Sequence, residues 1–214
     1  MRGRVAAAVG RLGAGAMVAL VLASSWAGPV RADAPLRVSV DGRALIVTGP
    51  KGYCIDRAGA RGSDSGAVVV LGSCAALGGG RARPETGPAI LSAAVAFGDR
   101  GAAEGLLDRL AAFFGTEAGH AALSRSGDAA SVVVLAAERL GPGAGDALVL
   151  SVEDSGPGAG VAPQYWRAVL LLRGRLVTLS AMAPQGGTLT PAELRAVLEE
   201  FVARMVAVNA RVAG

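Results

Sequence analysis

The sequence predicts an α+β domain, an antiparallel sheet covered by amphipathic helices in an α/β/α sandwich. Three observations carry this. Paired apolar-alternating runs meet at tight-turn signals such as Asp41-Gly42 and Arg173-Gly174. Strand-like segments are interrupted once, near the middle, by an apolar stripe of helical period. The chain closes on a second, longer stripe behind a capping box. Hairpins, helix, hairpins and a terminal helix, with no strand–helix alternation, describe an antiparallel rather than a parallel sheet. At 52% hydrophobic and 18% charged, the chain is too apolar to be disordered.

The first 32 residues read as an address. Arg2, Arg4 and Arg11 form a basic start, Leu12 to Val30 is uncharged and apolar, and Val30-Arg31-Ala32 puts small residues at −3 and −1 of a cleavage site. This is the layout of a secretory signal peptide cut after Ala32, with residues 33–214 as one domain. A retained leader acting as a signal anchor is the alternative, and would leave the protein on a membrane. No twin-arginine pair occurs, and no cysteine follows the apolar run. Beyond the leader no uncharged stretch approaches the ~20 residues of a span. Four of the 21 basic residues precede the cut, leaving 17 against 17 acidic residues. The apparent basicity therefore belongs to the leader, and nucleic-acid binding, which needs clustered excess cations, is not expected. Lys51 is the sole lysine and Asn209 the sole asparagine, a bias that fits GC-rich bacterial coding.

Within 33–87, Leu36–Val40 and Arg43–Val47 form a hairpin around Asp41-Gly42. Residues 55–65 read as a polar loop and Ala67–Leu71 as a buried strand. Cys54 and Cys74, an even count in an exported chain, are expected to form one disulfide. Such a loop is worth roughly 3 kcal/mol in the chain-entropy picture. The spacing excludes a C-x-x-C redox motif, and two cysteines with one histidine make a poor zinc set.

In the main unit, 88–210, Ile90–Phe97 reads as a strand. Leu106, Leu107, Leu110, Phe113 and Phe114 form one helical stripe, and a short helix follows over Thr116–Arg125. Strands are expected at Ser131–Arg139, Asp146–Glu153, Gln164–Leu172 and Arg175–Met182. Thr190-Pro191-Ala192-Glu193 is a capping box with proline at the first helical position. The last helix, to Val208, should place Leu194, Val197, Leu198, Phe201 and Met205 against Trp166, Leu170, Leu176 or their strand neighbours. Tyr165 and Trp166, adjacent on one strand, face opposite sides. If one is exposed, it marks a ligand or partner surface.

The order strand, helix, strand pair, Tyr165-Trp166 strand, Gly174 turn, apolar strand through Ser180 and capped helix, over about residues 88–209, resembles the PsbP-like fold family. That family includes extrinsic photosystem subunits and small exported bacterial proteins. The resemblance implies a non-enzymatic binding or assembly module.

Several motifs resemble catalytic ones. Val152-Glu-Asp-Ser-Gly-Pro-Gly158 is similar to a histidine-kinase glycine box, but no metal-binding asparagine lies upstream, so it reads as a strand-ending turn. Ser63, Ser65 and Ser155 each sit beside aspartate and glycine, and His120 is the single base for a serine triad. Lys51, between Pro50 and Gly52, makes no Walker loop. Gly141–Gly145 joins two strands rather than opening a helix. Glu153/Asp154 and Glu199/Glu200 point to different sides of their elements, and no spaced acidic loop like an EF-hand occurs. No catalytic, cofactor-binding or metal-ligating residue is assigned from the sequence. The expected function is a non-catalytic binding or assembly module of the periplasm, with an envelope protein or small molecule as partner. The competing classes are an exported hydrolase with a Ser/His or carboxylate site and a signal-anchored structural factor.

Overall fold

Period-two burial builds most of this protein. In the computed structural model, which describes residues 34–97, 105–141, 145–158 and 160–211, ten strands and three α-helices are arranged in chain order. They are β1 (Leu36–Val40), β2 (Arg43–Val47), β3 (Tyr53–Ile55), β4 (Arg61–Ser63), β5 (Gly66–Ser73), β6 (Ile90–Phe97), α1 (Leu106–Phe114), α2 (Glu117–Leu123), β7 (Val132–Leu140), β8 (Ala147–Asp154), β9 (Val161–Leu172), β10 (Arg175–Pro184) and α3 (Pro191–Arg211). The expected leader and its cleavage site after Ala32 lie outside the described residues. No helix among those described is long and apolar enough to cross a membrane.

The main sheet runs β3-β5-β6-β10-β9-β8-β7, with β4 hanging on β5, and every pairing is antiparallel. Its two faces carry separate cores. On one, Ala168, Leu170, Val177, Leu179, Val69 and Leu91 meet α3 and the β1–β2 hairpin. On the other, Leu148, Leu150, Val152, Tyr165 and Val169 meet α1 and α2. Helix, sheet and helix layers follow, the α+β architecture expected from the pattern. Because β8 and the middle of β9 are covered on both sides, they read as nearly continuous apolar runs.

Each layer is fixed by identifiable chemistry. Asp41 and Gly42, both left-handed (φ 47° and 68°), make the primed turn that matches strand twist. The hairpin is then held down by Arg175, 1% exposed, which donates to the Val40 and Asp41 carbonyls and pairs with the Asp41 carboxylate at 3.0 Å. On the other strand, Asn209 of α3 accepts from the Ile46 amide (2.9 Å) and donates to the Ile46 carbonyl (2.8 Å). The one asparagine thus acts as a single rung of sheet ladder offered by a helix. The capping box forms as its spacing requires: the Thr190 hydroxyl accepts from the Glu193 amide, and Glu193 accepts from the Thr190 amide and hydroxyl.

Three expectations need correction, and one is narrowed. β4 lies within 55–65, which read as loop, and β3, ending at Ile55, was not anticipated; at three residues each they are too short to show a period. In α1, Leu107 and Phe114 are buried but Phe113 is 39% exposed, since a nine-residue helix lying on a sheet cannot bury so broad a stripe. Of the residues expected opposite α3, Leu176 faces the α1/α2 side and its strand neighbour Val177 takes the α3 face, alternation having placed neighbours on opposite sides. α3 also runs to Arg211 rather than stopping at Val208.

Candidate functional site

Cys54 and Cys74 are disulfide-bonded and buried, with Cα atoms 4.7 Å apart. The bridge does more than close a loop. Cys54 is on β3 and Cys74 ends the β5 segment, so the bond braces the turn at Pro50–Gly52, whose Gly52 carbonyl also accepts from the Cys74 amide. Gly52 is left-handed at φ 86°, and a Cβ there would collide with the Arg83–Pro84 peptide. Glycine is therefore required twice, for the turn and for the close approach of the 83–86 segment. Next in sequence, the Tyr53 hydroxyl donates to the Gly87 carbonyl (3.1 Å) and accepts from the Ala89 amide (3.2 Å). Burial of the ring, outweighing that amide bond, pushes the phenol up to about 12, so it stays neutral as a strut.

These contacts flank residues 84–86, which form a lip facing α3. Between lip and helix lies a cavity of about 180 Å³ lined by Lys51, Tyr53, Pro84, Glu85, Thr86, Ala196, Val197, Glu200 and Arg204. Lys51 Nζ lies 2.9 Å from Glu85, and this hydrogen bond and charge pair shift the lysine up and the glutamate down. Glu200 accepts from the Lys51 amide at 3.3 Å, and Arg204 lies 3.8 Å from it. The cavity thus has cationic and anionic groups on both walls and an apolar floor at Val197.

The residues that stood out in the sequence go elsewhere. Tyr165 and Trp166 are both packed, one in each core. The Tyr165 hydroxyl donates to the Leu123 carbonyl (2.6 Å), and the Trp166 indole to the Pro191 carbonyl (2.9 Å). Asp154 in the glycine-rich box organises a turn. Its carboxylate accepts from the Arg125 amide and Nε, the Ser131 hydroxyl and the Gly156 amide. Burial opposes its charge, but these bonds prevail and hold the pKa at about 2. Such a carboxylate is committed to structure.

The serines and His120 are not brought together. Ser63 and Ser65 bond to each other at the β4–β5 turn. Five inter-strand steps, about 24 Å, separate β5 from β7, beside which His120 lines a shallow groove with Phe114 and Val132–Ala137. Ser155 donates to the Ser131 carbonyl. Glu153 and Asp154 diverge as expected, and Glu199 is paired with Arg195.

The cleft gave no sequence signal because its residues come from three distant segments. Glu200 and Arg204, four apart on a helix, resemble ordinary solvated charges. The one readable hint was Lys51, the single lysine, next to the cysteine pair. Compared with protein-family models, with curated proteins and with solved structures, the chain matches none of them.

Proposed function

We propose that the chain is exported to the periplasm and works there as a non-catalytic binding module, using the cleft between the lip at 84–86 and α3. One observation carries this reading. The turn that carries Lys51 and Tyr53 is braced by the disulfide, and the chain on either side of the lip packs on Gly52 and bonds to the Tyr53 hydroxyl, and the cavity between lip and α3 has charged groups of both signs at its mouth. A concave site with convergent polar groups and an apolar wall is the ordinary form of a small-ligand site. The leader-like start and the disulfide support export. The non-enzymatic reading rests on the resemblance of the sequence over about 88–209 to PsbP-like modules.

Ala196 is exposed on α3 and lines the cleft, so Ala196→Trp fills the cavity while leaving the buried stripe intact. Protein exported by the native host and purified without denaturation should carry a companion, seen by native mass spectrometry, that Ala196→Trp loses. Identical companions on both proteins, or none on either, contradict the reading.

A further inference from the structure

The lining of the cleft goes further and specifies a ligand class. Lys51 and Arg204 oppose Glu85 and Glu200, so the mouth is neutral overall and alternates in sign. A simple anion or cation would meet as much repulsion as attraction there. A molecule carrying both charges would not.

The hydrogen bonds left open match such a molecule. Among the described residues Arg204 makes no hydrogen bond, and its carboxylate neighbour stands off at 3.8 Å. Its guanidinium fork is therefore open to a bidentate carboxylate. Glu200 accepts one long bond, from the Lys51 amide at 3.3 Å, and Glu85 one from Lys51 Nζ. A carboxylate has about four acceptor positions, so both keep capacity for the three donors of an ammonium. Pro84, Val197 and the Tyr53 ring supply apolar wall for a hydrocarbon side chain. The volume, about 180 Å³, is well above the roughly 15 Å³ that a single water needs by the same measure, so the cleft has room for a small organic molecule.

We propose that the cleft receives an aliphatic α-amino acid as its zwitterion, with the carboxylate on Arg204 and the ammonium between Glu85 and Glu200. The proposal rests on the reading of the cleft as the binding site. Its charged groups are about half to three-quarters exposed, so water screens them and affinity should be modest and salt-sensitive.

The test is an NMR titration of the natively purified, isotope-labelled exported chain with L-leucine, 4-methylpentanoate and 3-methylbutylamine. The last two are leucine without its amine and without its carboxylate. Leucine should move the amide signals of Thr86, Ala196 and Glu200 saturably, and each analogue should bind at least tenfold more weakly. Arg204→Gln should weaken leucine at least fivefold and leave the amine unchanged, with melting temperature confirming the fold. An analogue that binds as tightly as leucine contradicts the zwitterion while leaving the binding reading standing. No saturable shift with leucine contradicts the proposal outright, whereas the binding reading is decided separately by the Ala196→Trp comparison.

Discussion

Asp154 shows how one side chain converts a suggestive motif into architecture. Its four donors come from Arg125, Ser131 and Gly156, so it ties the segment after α2 to the end of β8. A carboxylate at about 2 when folded, against an ordinary value near 3.9, stabilises the fold by about 2 to 3 kcal/mol above pH 4. Because the folded pKa is depressed, that contribution is complete above the unfolded pKa and is lost as pH falls from about 4 to 2. Asp154→Asn should therefore lower stability by a similar amount at pH 7, measured by urea denaturation, and its gap from the parent should shrink towards pH 2. A gap that stays constant across this range would contradict the assignment. The glycine-rich turn was legible in the sequence as a turn; the partners of Asp154 were not, because Arg125 and Ser131 lie in a segment with no period of its own.

The elements differ in how plainly they could be read. α3 announced itself through Thr190, Glu193 and a stripe of large apolar residues, and it docks as that stripe requires, with Phe201 fully buried. Phe201→Ala should cost about 3 to 5 kcal/mol, a fall of roughly 10 °C in melting temperature for a domain of this size. Glu200→Ala, one residue away and facing the cleft, should shift it by no more than a degree or two. Equal, negligible shifts by calorimetry would mean that α3 is not docked. α1 was legible as a helix but not in its burial, since Phe113 and Phe114 are adjacent and a sheet surface admits one of them. β3 and β4 were illegible because three residues give no alternation. What places them is tertiary: the disulfide, and pairing with the long strand β5.

Among the described residues the fold is a seven-strand path with a core on each face and the proposed cleft between α3 and the 84–86 lip. The β1–β2 hairpin and α3 share the first core, cross-linked by Arg175 and Asn209. Neither tether could have been anticipated from spacing, as their partners lie more than 130 residues away in sequence. The cleft is invisible in sequence for the same reason, being assembled from the turn at 51–53, the lip at 84–86 and one face of α3. Other exposed surfaces compete with it for attention, above all the edge strand β7 with Val133 and Leu135 about half exposed. Amide hydrogen exchange across the entire chain, with and without periplasmic extract of the producing host, compares them all in one measurement. Protection should appear at residues 83–89 and in the turns of α3 around 196–204, and should vanish in Ala196→Trp. Protection confined to β7, α1 and α2, or absent everywhere, would show that the cleft is not where this protein binds.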